Sequence, residues 1–111
     1  HSLTAMLQLA KQGYFTVEKV VEKMCHAPAD LFRIENRGYI RPGYFADLVL
    51  VDPSLSQQVT TENILYKCGW SPFEGETFDS VVVRTFVNGQ TVFNNGVFDE
   101  NIRGKRLTFN V

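Results

Sequence analysis

Positive charge is in no excess here: 11 Lys and Arg against 12 Asp and Glu leave a formal net charge of -1, which argues against a nucleic-acid binder working through bulk charge. Long apolar runs are missing too. The clearest ones, Leu48 to Val51 and Val81 to Val83, fall far short of the roughly 20 residues that a membrane-spanning helix needs. Cysteine is scarce, and Cys25 and Cys68 stand in no CxxC or Cys/His spacing. That excludes a disulfide framework and a cysteine zinc cluster. The two are expected to be reduced thiols in a cytoplasm, buried as small apolar residues. The chain opens HSLTAMLQLAKQG, without an initiator methionine, a basic leader or a small-residue cleavage site, and so reads as a chain cut open. Repeats, low-complexity tracts and charge blocks are absent as well, so nothing marks a linker.

What is present is an ordinary globular composition, 44% hydrophobic and 21% charged, away from the corner where disorder lives. A chain of this length buries roughly two-thirds of its unfolded surface, enough for one unit with a share of a packed core. Leu3, Met6, Leu7 and Ala10 recur at helical spacing, and Gly13 follows the last turn, predicting a helix from about 2 to 12. Thr16 is placed to cap a second helix with Val17, Val20, Val21 and Met24 on one face and Glu18 in its first turn. Pro28 suits the first turn of a third, very short helix.

From Arg37 the period changes. Pro42-Gly43 predicts a type II turn, because proline sets φ at its first central position and glycine accepts positive φ at its second. A strand follows over about 46 to 51. Asn88-Gly89 separates two β-rich runs and predicts a type I′ hairpin. Val81, Val83, Thr85 and Val87 share one face of the first run, and Val82, Arg84 and Phe86 the other, so the sheet is expected to be covered at least partly by helices. Between these strands a short helix is expected around Thr61 to Lys67, followed by the irregular CGWSPFEGETFD. A last strand is expected near Arg106 to Phe109.

Chemistry is thin. His26 and Asp30 in HAPAD cannot by themselves complete a metal site, and the helix start explains Pro28 equally well. No GxSxG elbow and no phosphate loop are present. Glu74 and Glu76 flank Gly75 as a candidate acid/base pair, although solvated loop charges are the simpler reading. Trp70 and Phe73 are candidates for a stacking patch, with burial as loop anchors the expected outcome.

Three segments together resemble a known family. GYIRPGYFADLVLVD is similar to the C-terminal signature of the amidohydrolase superfamily, KCGWSPFEGETF resembles the Lys then Ser-Pro-Phe-x-Gly pattern of dihydroorotases and their nearest relatives, and VVVRTFVNGQTVF resembles the hairpin that follows. HSLTAMLQLAKQG and HAPADLF resemble the helices that finish the family's catalytic barrel, so the likeness covers essentially the whole chain in the family's order.

The resemblance implies an α+β fragment: residues 1–36 as the last helices of a (β/α)8 TIM barrel, and 37–111 as C-terminal strands of a small β-sandwich domain with their connecting loops. It implies a parent that is a zinc-dependent dihydroorotase interconverting dihydroorotate and N-carbamoyl-aspartate. Alternatives are a hydantoinase, dihydropyrimidinase or allantoinase, or a non-catalytic dihydroorotase-like scaffold. The family's metal ligands, catalytic aspartate and substrate-holding arginine and asparagine match no residue here, so the isolated chain is expected to be inactive and to bind no zinc. His1 is the one position the resemblance places near substrate. The implied partners are the rest of the parent chain, a small cyclic amide in the parent, and further copies in a homo-oligomer, with no nucleic acid and no membrane.

Overall fold

Local rules account for the helices. The computed structural model describes residues 1–111. Helix α1 (Ser2–Lys11) ends as the glycine predicts: Gly13 N–H donates to the Ala10 carbonyl at 3.0 Å and Tyr14 N–H to Leu9 at 3.1 Å, the paired closure of a Schellman motif. Helix α2 (Val17–Val21) begins where Thr16 Oγ1 accepts the Lys19 N–H at 3.2 Å, satisfying an otherwise orphaned donor.

The third helix is very short and holds Pro28 in its first turn, as expected, but it is not a separate element. α2 does not stop but runs through a π turn (Glu22–His26) into helix α3 (Ala27–Leu31). A proline inside a regular α-helix clashes with the carbonyl four residues back. The wider turn, with Ala27 N–H bonded to the Glu22 carbonyl, lets Pro28 continue the run. No helix is long and apolar enough to cross a membrane.

Six strands follow: β1 (Leu48–Asp52), β2 (Gln57–Gln58), β3 (Thr77–Phe78), β4 (Val81–Val87), β5 (Gln90–Asn94) and β6 (Val97–Phe98). The main sheet is antiparallel in the order β1-β4-β5-β6, and β2 pairs with β3 in a separate ribbon. The type II turn leading to β1 is closed by Tyr44 N–H to the Arg41 carbonyl at 3.1 Å, with Gly43 at φ +83°. The β4–β5 hairpin has Asn88 at φ +51° and Gly89 at +79°, the type I′ geometry whose twist matches that of the strands. Asp47 Oδ1 accepts the Asn88 N–H at 2.9 Å, tying this turn to the chain entering β1. The register shifts at two places, leaving Val83 of β4 as the extra residue opposite the Leu50–Val51 step of β1 and Val92 of β5 as the extra residue opposite the Thr85–Phe86 step of β4. All seven residues of β4 are half-buried, in keeping with a sheet apolar on both faces.

Three local expectations need correction. The helix expected over Thr61 to Lys67 is one 3-10 turn, Thr61–Asn63, because Asn63 spends its side chain on the backbone, accepting from Thr60 N–H at 3.0 Å and donating to the Gln58 carbonyl at 2.8 Å. The strand expected near Arg106 is a single bridge between Ile34 and Phe109, since no second strand lies alongside to extend it. A further hairpin, β5–β6 around Asn95-Gly96, was not anticipated, although it uses the same Asn-Gly chemistry as the first.

The core is small. Ala5, Val59 and Phe78 form one buried cluster, with Ile64 and Phe73 packed against it, and Val20 and Ala29 are buried on the helices. Only 7 of 111 residues are buried, and no large side chain is fully enclosed. The helices face β1 across an apolar cavity of about 350 Å³ lined in part by Leu7, Val17, Val20, Met24, Val49 and Val51. The accessible surface is 8093 Å², against about 6,200 Å² for a folded monomer of 12.6 kDa. The radius of gyration is 15.2 Å, against about 13 Å for a compact chain of this length.

Candidate functional site

The start of α1, the β2–β3 ribbon with the loop joining its strands, and β4, β5 and β6 of the main sheet border an open cavity of about 460 Å³, lined among others by His1, Thr4, Gln57, Asn63, Phe78 and Phe93. A clasp ties α1 to the ends of the ribbon. Gln8 Oε1 accepts the Asp79 N–H at 2.8 Å while Gln8 Nε2 donates to Asp79 Oδ2 at 3.1 Å. Ser56 Oγ donates to the other carboxylate oxygen at 2.8 Å, and Lys11 Nζ donates to the Pro53 and Asp79 carbonyls. The Ser56 hydroxyl, then Gln8, hold the Asp79 carboxyl below its usual range by bonding its charged form.

His1 is half-buried at this cavity. Its Nδ1 lies 2.9 Å from the Tyr66 hydroxyl. The Tyr66 ring meets the imidazole edge to face with centroids 5.6 Å apart, and Phe73 and Phe78 stand at 6.4 Å. Three aromatic rings and one hydroxyl therefore frame the imidazole. Tyr66 and Phe78 were not singled out by sequence reasoning; neither sits in a periodic pattern that could have marked it.

The structure gathers His26 and Asp30 around a different residue. The His26 ring stacks on Tyr39 at 4.2 Å and 5°, and Asp30 Oδ2 accepts the Tyr39 hydroxyl at 2.7 Å. The bond to Asp30 raises the Tyr39 phenol above its ordinary value, because it serves the neutral form. Arg41 caps the opposite side of this cluster, its guanidinium 4.0 Å from the Tyr39 centroid. HAPAD thus grips a tyrosine.

Other candidates separate. Glu74 and Glu76 are both exposed, and the loop between them is held by the main chain: Gly75 N–H donates to Val59 O and Val59 N–H to Glu76 O, both at 2.8 Å. Phe73 turns inward as an anchor, but Trp70 does not. Its side chain is 61% exposed, a correction that follows from the turns at 71 to 75, which carry Phe73 rather than Trp70 toward Ala5 and Phe78. Cys25 and Cys68 are exposed rather than buried, Cys25 lying on the wall of the open apolar cavity beneath β1 and Cys68 in the loop after Tyr66.

The zinc implied by the resemblance finds no fit among these residues. No three His, Cys, Asp or Glu side chains converge, and the two imidazoles are engaged by Tyr66 and Tyr39. What the arrangement brings together is an imidazole and a tyrosine hydroxyl at the edge of a cavity.

Comparison with known proteins gives a consistent set of relatives. The model of the Amidohydrolase family matches residues 2–92. The dihydroorotase of Pyrococcus furiosus is 31% identical over 102 residues, 92% of this chain and 24% of that protein. The D-phenylhydantoinase of Escherichia coli is 37% identical over 87 residues, 78% of this chain and 19% of that one. Among solved structures, the D-hydantoinase of Bacillus sp. AR9 superposes with a TM-score of 0.78 at 26% identity, covering 87% of this chain and 22% of its own. The L-hydantoinase (dihydropyrimidinase) of Arthrobacter aurescens gives 0.72 at 32% identity, covering 80% and 20%. The chain spans about a quarter or less of the length of the curated relatives it matches.

Proposed function

The chain belongs to the amidohydrolase family, and from that premise we propose that it is the closing segment of a dihydroorotase, the enzyme that interconverts dihydroorotate and N-carbamoyl-aspartate. In this reading residues 1–36 are the last helices of a (β/α)8 barrel, and 37–111 belong to a small β-sandwich. The observation that carries it is the similarity to dihydroorotase over 92% of the chain. The unfinished packing supports it. An excess of about 1,900 Å² of exposed surface is more than twice the roughly 800 Å² that each partner buries in an ordinary interface, which suits a segment that packs against a larger body.

The segment's role is then to complete the scaffold and to bring His1 to the edge of the substrate site. The zinc centre would be held by residues outside the segment, and the isolated 111 residues would be inactive. A cytoplasmic location and a homo-oligomer belong to the same reading.

A second reading, a hydantoinase or dihydropyrimidinase, is favoured by the 37% identity to D-phenylhydantoinase and by the superpositions on hydantoinases. The discriminating experiment offers the full-length protein dihydroorotate, a 5-substituted hydantoin and dihydrouracil, beside the isolated segment. Preference for dihydroorotate is expected, with no turnover by the segment. Preference for the hydantoin establishes the second reading. A folded, metal-supplied protein silent on all three is a non-catalytic scaffold.

A further inference from the structure

We propose that Asn95 is a site of spontaneous deamidation, its side-chain amide displaced by the Gly96 nitrogen, while the same dipeptide at Asn88-Gly89 is protected by the fold.

The two Asn-Gly turns are alike in backbone. Asn88 and Asn95 hold φ +51° and +47°, and Gly89 and Gly96 hold +79° and +88°, as a type I′ hairpin turn requires. A glycine after asparagine favours the reaction, because no side chain hinders its nitrogen. What differs is the surroundings of the reacting atoms. The Gly89 N–H donates to the Ala46 carbonyl at 3.0 Å, and Asn88 Oδ1 is buried, so nucleophile and target are both withdrawn. At the second turn Asn95 and Gly96 are exposed, and the Gly96 N–H donates to no protein acceptor. The Asn95 amide hydrogen-bonds only to the Asn94 side chain, at 3.2 Å. β4 is flanked by strands on both sides, whereas β6 is an edge strand paired through two residues. Val97 and Phe98 are 70% and 52% exposed, so the β5–β6 hairpin opens locally at little cost.

In the reaction the Gly96 nitrogen gives up its proton to base and bonds to Asn95 Cγ. The Cγ–Nδ2 bond breaks, and the amide nitrogen leaves as ammonia, taking a proton from water. Water then opens the resulting succinimide at either carbonyl, giving aspartate or isoaspartate. One water enters and one ammonia leaves, with no change of oxidation state. Either product adds a carboxylate, negatively charged at neutral pH.

The test incubates the full-length folded protein at mildly alkaline pH and follows both Asn-Gly peptides by mass mapping, with the urea-unfolded protein alongside. In the folded protein Asn95 is expected to react about tenfold faster than Asn88 or more, because the Gly89 hydrogen bond and the buried amide must open first. In urea the two rates are expected to come within about threefold of each other, since the fold no longer separates them. Backbone hydrogen exchange gives a second reading, with Gly96 N–H expected to exchange freely and Gly89 N–H to be protected. Asn95 no faster than Asn88 in the folded protein, a rate ratio unchanged by urea, or equal protection of the two glycine amides each overturns the proposal.

Discussion

Gly38 lies against Ala29 so closely that a Cβ built on it would stand 2.4 Å from the Ala29 Cβ and 2.8 Å from the Cys25 carbonyl oxygen. The loop bearing Arg37 and Tyr39 is thereby laid directly on the π turn and α3, which lets Tyr39 reach both His26 and Asp30. Gly38 also holds φ +83°, so a side chain there meets a steric and a conformational barrier together.

Gly38→Ala is accordingly expected to cost about 2–4 kcal/mol, combining left-handed strain with overpacking. Gly89 has a similar φ of +79° but nothing within 4 Å of a built Cβ, so Gly89→Ala is expected to cost only the backbone strain, about 1–2 kcal/mol. Urea midpoints of the full-length variants at constant m-value measure both. Equal losses would remove the Ala29 contact from the explanation.

Acid should loosen the clasp between α1 and β3. Asp79 has its carboxyl lowered from 3.8 by the Ser56 and Gln8 hydrogen bonds. A carboxyl more acidic when folded stabilises above its unfolded value and loses that contribution as pH falls through the lower folded one. Asp79→Asn is therefore expected to flatten the stability profile below about pH 4. Thermal melts between pH 2 and 7 check this, and an unchanged acid limb would mean that the clasp carries no proton linkage.

The alkaline limb should carry the opposite sign. Tyr39 is raised above 10.0 by its bond to Asp30, so its contribution is present below its unfolded value and lost as pH rises through the folded one. In Tyr39→Phe that part of the alkaline loss should vanish. Spectrophotometric titration of the phenols should show one late-titrating tyrosine that disappears in the same variant, and retention of that tyrosine would place the shift elsewhere.

β1 is an outer strand of the main sheet, with Val49 and Leu50 exposed, and such an edge templates pairing with another chain. The isolated 111-residue chain is expected to be oligomeric, swapped or poorly soluble, and Leu50→Lys is expected to reduce the association. Light scattering across a concentration series decides it. A clean monomer at every concentration counts against an active edge.

Much of the local structure is legible in the residues themselves. The Schellman closure at Gly13, the Thr16 cap, the Pro42-Gly43 turn and the Asn88-Gly89 hairpin all follow from φ preferences and hydrogen bonds spanning a few residues. His1 and the HAPAD string could be marked as sites of interest, but not what they touch. The two-residue strands β2 and β3 were illegible because neither is long enough to show a period. Trp70, Cys25 and Cys68 were misjudged for a related reason: burial is decided by what the rest of the chain brings near them, and composition carries only an average tendency.

Where the backbone turns, where helices open and close, and which family's pattern the chain shares can each be read from a short stretch of residues, because each is encoded locally. That Gln8 clasps Asp79, that Gly38 lies on Ala29 and that Tyr66 meets His1 emerges from packing alone. Those pairs depend on the directions in which whole elements approach one another, and no nearest-neighbour preference contains that information.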